Sequence, residues 1–250
     1  MEFDSDAIIS QVEELVEQRQ WPALRDLLLP LPAADIALIL SELPEDRLPL
    51  LYRLLPKELA AEVFVEMEPE QQELLIKSFS DTELKEVLDE LYVDDAVDLI
   101  EEMPATVVKR ILQHTDPETR RSVNEILKYP EDSAGSIMTT EFVDLKKNLT
   151  VADAIKRIRR TGTDKETINY CYVTDPSRHL LGIVSIRTLL LAEEDDVIED
   201  IMDTNVVYAR TMDDKEDVAQ TLNKYGFLAL PVVDAEDRLV GIVTVDDAMD

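Results

Sequence analysis

From residue 32 to about residue 127 the apolar residues recur with a period of twelve. Cut at that period, the chain reads PAADIALILSEL, PEDRLPLLYRLL, PKELAAEVFVEM, EPEQQELLIKSF, SDTELKEVLDEL, YVDDAVDLIEEM, PATVVKRILQHT and DPETRRSVNEIL. Each cell ends on Leu43, Leu55, Met67, Phe79, Leu91, Met103, Thr115 or Leu127, and Ile36, Leu48, Ala60, Leu84, Ala96 and Val108 hold fifth positions. Apolar residues three and four apart lie between them, as a one-sided helix requires. Pro44, Pro56 and Pro104 open cells, and Pro69 and Pro117 come one place later. Proline fits a first helical turn and stops the helix before it, so each cell predicts a short helix and a tight turn. A helix of about ten residues cannot bury its stripe alone, so the cells must stack into a superhelix. Residues 1–31 add one or two helices, with Trp21 beside Pro22 as a packing anchor.

The pattern changes at YPEDSAGS (129–136), where Pro130 and Gly135 break the helical period and strand signals begin. The domain boundary is expected there. Beyond it the chain consists of two copies of one pattern: Ile137-Met138-Thr139 matches Ile201-Met202-Asp203, Tyr172-Val173-Thr174-Asp175 matches Val232-Val233-Asp234-Ala235, and Leu181-Gly182-Ile183-Val184-Ser185 matches Val240-Gly241-Ile242-Val243-Thr244. Each copy predicts a short strand (142–145; 206–209), an amphipathic helix (151–160; 215–225), two strands joined by a polar turn, and a closing helix. The threonine of LTVADAIKRI and the acidic start of MDDKEDVAQT are helix N-terminal signals. The fold class is therefore α + α/β: an all-helical superhelical repeat domain (1–130), then two β-α-β-β-α units (131–199 and 200–250).

Composition narrows the function. The 25 basic and 55 acidic residues give a formal charge of −30, which disfavours nucleic acid and anionic lipid and favours cations. KRIRR (156–160) is the one basic run, and on an amphipathic helix it reads as a solvated or salt-bridged face. A single cysteine, Cys171, forms no internal disulfide, and no basic-plus-apolar signal segment precedes the first helix, so a reducing cytoplasmic setting is expected. No run approaches the roughly 18 apolar residues of a membrane span. His114 and His179 stand apart from each other and from Cys171, so zinc spacing is absent. No phosphate-binding loop, nucleophile elbow or zinc-protease motif occurs, and the chain reads as a sensor rather than an enzyme.

The two h-G-h-h-[ST] strands, the Asp-rich turns before them and Leu230-Pro231-Val232-Val233-Asp234 resemble a tandem pair of CBS domains. The twelve-residue array leading through EDSAGSIMT into such a pair is similar to the cytosolic portion of MgtE magnesium transporters, and this resemblance covers nearly the whole chain. It implies a cytoplasmic location at the membrane, attachment to the transmembrane domain of the same full-length protein, and a homodimer through the CBS domains. Ending at Asp250 as a last helix begins, the chain is expected to stop ahead of the family's connecting helix and pore.

Magnesium takes oxygen ligands and keeps several waters, so one or two carboxylates from separate elements suffice for a regulatory site. Asp94 and Asp98 lie four apart on one predicted helix face, and Asp247 and Asp250 lie three apart. The resemblance implies metal positions at Glu62 (in AAEV), Asp94 and Asp98 (VDDAVD), Glu216, and Asp247 and Asp250 (VDDAMD), with Ser136 offering a carbonyl. The family's DYDF stretch reads Lys224-Tyr225-Gly226-Phe227 here, so one carboxylate is missing at Gly226. CBS pairs also bind adenine nucleotides, and Thr244-Val245-Asp246-Asp247 has the Thr-x-x-Asp pattern for phosphate and ribose. Ser185-Ile186-Arg187-Thr188 lacks that carboxylate and offers Arg187 to a phosphate. Tyr170, Phe227 and Pro231 are the adenine walls the resemblance implies. The expected cofactors are thus magnesium, with ATP second. The expected mechanism is repulsion between acidic helical and CBS domains at low magnesium, and closure of the pore once magnesium draws them together. The rival is a soluble adenine-nucleotide sensor whose helical array docks a protein.

Overall fold

The computed structural model describes residues 5–249. The chain forms two compact units. The helical unit holds the chain up to Leu91 together with Asp98–Arg120, and the second unit holds Tyr92–Val97 and everything from Arg121 onward.

Two helices, α1 (Ser5–Glu17) and α2 (Trp21–Leu28), open the chain. Trp21, at the start of α2, is half-buried, while Leu24 and Leu28 one and two turns on are fully buried. Each twelve-residue cell then yields one helix: α3 (Ala33–Ser41), α4 (Leu48–Tyr52), α5 (Lys57–Val65), α6 (Pro69–Ser78), α7 (Asp81–Leu88), α8 (Val93–Glu102), α9 (Ala105–His114) and α10 (Pro117–Ile126). Helix α4 is short because Pro49 must sit in a first turn, which delays the helix past the turn that Arg47 N–H closes on Pro44 O at 2.8 Å. In this unit α3, α5, α7 and α9 pack in succession, and α6 bridges α4 and α9.

Cell-ending residues from Leu43 to Thr115 are buried, whereas Leu127, already in the second unit, is 37% exposed. The fifth position of the fourth cell is polar and still buried: Gln72 Nε2 donates to Phe64 O at 2.9 Å. Tyr52 packs its ring against Phe64 and Phe79 and donates its hydroxyl to Ala60 O at 2.7 Å. Arg110 donates to Ile76 O and, at 2.7 Å, to Phe79 O, satisfying carbonyls at the end of α6. Ser80 and Glu83 form a capping box on α7; the Arg53 guanidinium and the Ser80 amide hold Glu83 down to about 2.

The second unit holds two three-stranded sheets. In the first, β1 (Val143–Lys146) runs parallel to β2 (Tyr170–Thr174), which pairs antiparallel with β3 (Leu180–Ser185). Helix α11 (Val151–Thr161) and helix α12 (Ile186–Leu191) pack with it around Val143, Leu145, Ile158, Cys171, Val173 and Val184. Burial pushes the Cys171 thiol up to about 12, so it is an inert core group. The basic run on α11 is largely exposed, with Arg157 bound to Asp144 at 2.7 Å. After α13 (Ile198–Ile201), β4 (Ala209–Arg210), α14 (Lys215–Tyr225), β5 (Ala229–Val233) and β6 (Leu239–Thr244) repeat the plan. Strand β4 starts three residues later than the expected 206–209. Residues 245–249 form turns rather than the expected closing helix, with Met249 N–H on Asp246 O at 2.9 Å.

The strand registers correct one sequence match. Val173 pairs with Gly182 as Val232 pairs with Gly241, so Tyr172 is equivalent to Pro231, not to Val232. The bulge after Val173 and after Val232, in runs of consecutive buried residues, hides the one-place shift. The copies also exchange leading segments. Thr139 pairs with Ile242 of the second sheet, and Asp203 pairs with Ile183 of the first. A Cβ at Gly241 would meet Met138 Sδ and Thr139 O at 2.7 Å, and one at Gly182 would meet Met202 Sδ at 2.7 Å. The glycine of each h-G-h-h-[ST] strand is therefore required by this crossing.

Candidate functional site

Carboxyl groups gather at one place in the second unit. Asp94, on the first turn of α8, is only 6% exposed, and its Oδ1 accepts the Asp95 amide at 3.0 Å. Glu166 precedes β2, its amide bound to Glu141 O at 2.9 Å. Asp246 and Asp247 lie in the turn after β6, where Thr244 Oγ1 donates to Asp247 Oδ2. Burial, then the charges of Asp247, Asp95 and Glu166, push the Asp94 carboxyl well above the usual carboxylate range. Burial also pushes Glu166 up to about 7, with Asp247, Asp95, Asp246 and Glu141 adding to it. Neither Asp94 nor Glu166 makes an ion pair with a described residue. Like charges held this close in a partly dry place favour a proton or a cation. The donors are hard oxygens, which suit magnesium. Among the described residues no three His, Cys, Asp or Glu side chains are placed to grip a bare ion together.

Of the residues the sequence singles out for metal, Asp94 and Asp247 come together. Glu62 and Asp98 are exposed on α5 and α8 within the helical unit. Glu216 is exposed in the first turn of α14, its amide on Asp214 Oδ1 at 2.8 Å. Ser136 is buried, with its hydroxyl donating to Glu131 O at 2.7 Å and Ser133 O at 2.8 Å. Asp250 lies outside the described residues. Sequence reasoning missed Glu166, Asp95 and Asp246. The near-identical hexapeptides VDDAVD and VDDAMD pointed at the last two, but nothing in DKETIN marks Glu166.

A second feature is a cavity of about 240 Å³ lined by Tyr170, Ser185, Thr188, Asp203, Phe227 and Pro231 among others. Three of its walls are thus the predicted Tyr170, Phe227 and Pro231. Gly226 ends α14 in the left-handed conformation (φ 66°), which turns Phe227 back to stack at 5.3 Å on Tyr225. Ser185 Oγ and Thr188 Oγ1 are 2.9 Å apart, the counterpart of the Thr244–Asp247 bond. Arg187 is exposed and does not line the cavity, and neither do Thr244 and Asp247. At the equivalent positions of the other copy, Phe142 and Tyr172 pack edge to face at 5.9 Å where the cavity has Val206 and Pro231.

The MgtE intracellular N domain profile matches residues 31–132, and the CBS domain profile matches 134–195 and 198–250. The crystal structure of the cytosolic domain of the Mg2+ channel MgtE in complex with ATP is similar at TM-score 0.90 and 38% identity, covering 97% of this chain and 99% of that one. The chain belongs to the MgtE family. A second crystal structure, the soluble part of a magnesium transporter, is similar at TM-score 0.89 and 34% identity, over 99% of this chain and 97% of that one. The magnesium transporter MgtE of Thermus thermophilus is 39% identical over 243 residues, 96% of this chain and 54% of that protein. The chain therefore spans about half the length of the curated MgtE relatives it matches. Over that length it corresponds to the cytosolic domain seen in the first of these structures. Among the described residues no helix is long and apolar enough to cross a membrane.

Proposed function

We propose that this chain is the magnesium-sensing regulatory region of an MgtE-type magnesium transporter, at the cytoplasmic face of the membrane. The observation that carries this reading is the group of carboxyls around Asp94, Glu166 and Asp247. Their proximity costs free energy that a hydrated divalent cation relieves. Asp94 and Asp247 are the first ligands in this reading, with Glu166 beside them. Glu62, Asp98, Ser136, Glu216 and Asp250 are further positions at which ions screen the acidic surfaces. Magnesium then draws the helical and CBS regions together, and in the full protein this compaction closes the pore. The CBS pair is the homodimer contact.

One site at ten times its dissociation constant adds roughly 1.4 kcal/mol to the state that forms it. Moving a two-state switch from 1:99 to 99:1 takes about 5.5 kcal/mol, so on the order of four weak sites suffice together. The glycine at position 226 removes one carboxylate and makes the response shallower rather than absent. Thermal unfolding in rising magnesium at fixed ionic strength tests the ligand assignment. The midpoint should climb for the wild-type chain and climb less for Asp247→Asn and Glu166→Gln. Equal slopes in all three would remove these carboxylates from the reading.

A second reading rests on the cavity between Tyr170, Phe227 and Pro231, because a family structure was solved in complex with ATP. The adenine ring would lie among these walls. Thr188 stands where the second copy has Asp247, so the ribose loses a charged acceptor and the affinity for ATP is weak. Calorimetric titration with ATP should give heat that Phe227→Ala abolishes; tight binding and no response to magnesium would favour the soluble nucleotide sensor instead.

A further inference from the structure

The two CBS copies differ at one equivalent place. Lys146 and Arg210 correspond, since each ends the first strand of its sheet, facing Thr174 and Val233 respectively. Arg178 and Asp237 also correspond, each the left-handed residue (φ 71° and 60°) of the turn before the third strand. In the second copy the pair is complementary, with Arg210 Nη2 at 2.7 Å from Asp237 Oδ1. In the first copy both members are cations.

Lys146 and Arg178 line a cavity of about 290 Å³ with Lys165, Thr140, Thr174 and Asp144. Asp144 is engaged by Arg157 at 2.7 Å and lies 3.4 Å from Lys146. Lys146 Nζ also donates to the buried Thr174 hydroxyl at 3.0 Å, which leaves that hydroxyl's proton free to be donated onward. Lys165 and Arg178 make no ion pair with a described residue. Three cations around one cavity run against a chain with 25 basic and 55 acidic residues. The acidic background repels loosely held anions, so only a shaped site retains one. No residue of this cavity lines the one between Tyr170 and Phe227.

We propose that this cavity of the first CBS copy binds a small phosphoryl-bearing anion through Lys146, Lys165 and Arg178. The guanidinium supplies paired donors, the ammonium groups supply point charges, and the Thr174 hydroxyl completes the donors for a group with three acceptor oxygens. The anion does for the first copy what Asp237 does for the second: it neutralises the cation at the strand end. Free phosphate and a phosphorylated metabolite share this chemistry.

Calorimetry on the whole chain, with chloride as the ionic-strength reference, tests the site with inorganic phosphate in one arm and glycerol 3-phosphate in the other. Saturable binding is expected in at least one arm, and the stronger arm names the source. Arg178→Asp copies the pairing of the second CBS copy at a backbone position where aspartate is already accommodated. It should weaken binding by at least about tenfold, as should Lys165→Gln if the first variant fails to fold. Saturation in neither arm, or unchanged affinity in a folded variant, overturns the proposal.

Discussion

Asp94 carries a measurable consequence before any cation is added. A carboxyl whose folded pKa lies above its unfolded value binds its proton more tightly in the folded state, so stability is lost as pH rises through the shifted value. For Glu166 that window runs from 4.5 to about 7. The magnesium-free chain should therefore be more stable at mildly acidic than at neutral pH. Glu166 is half-buried, so its share, discounted for solvent screening, is on the order of 1 kcal/mol. Asp94→Asn keeps an oxygen for the Asp95 amide while removing the charge, and it should raise the neutral-pH melting temperature and flatten the pH dependence. Chemical unfolding across this pH range, with and without magnesium, checks both; a flat wild-type profile would mean that the carboxyls do not repel one another in the folded state. The sequence named Asp94 and Asp247 through the family resemblance carried by VDDAVD and VDDAMD. Glu166 was not named, because it sits in an irregular segment whose position is fixed by a backbone bond to Glu141 rather than by any pattern.

At the scale of elements, the twelve-residue cells predicted every helix of the array, since proline sets most of the starts, the Ser80 cap sets that of α7, and an apolar cell-ending residue closes the buried stripe in all but the last two cells. What the pattern could not give was side-chain closure of helix ends. Arg110 satisfies carbonyls at the end of α6 from thirty-odd residues away, and Arg110→Ala should cost about 1–3 kcal/mol in denaturant unfolding. The paired glycines make a sharper case. Gly241→Ala and Gly182→Ala drive a methyl onto methionine sulfur and backbone oxygen, and each should cost about 2 kcal/mol or more. Gly226 is different, because nothing lies within 4 Å of its added carbon. Gly226→Asp restores the family's carboxylate for about 1 kcal/mol of left-handed strain and should steepen the magnesium response. The strand match failed by one residue at Tyr172 because consecutive apolar residues carry no register of their own; the bulge that sets it appears only in three dimensions.

The whole molecule carries a formal charge of −30, and compaction of such a chain works against its own field unless cations are taken up. The repeat array, the CBS pair and the family were all written in the order of patterns along the chain. The proposed response to magnesium rests on acidic residues far apart in sequence, which no local pattern brings together. Small-angle scattering of the purified chain across a magnesium titration at fixed ionic strength tests this most directly, with Asp94→Ala and Asp247→Ala alongside. The account predicts a radius of gyration that falls and saturates with magnesium in the wild type and falls less in both variants. A radius unchanged across the millimolar range would contradict it.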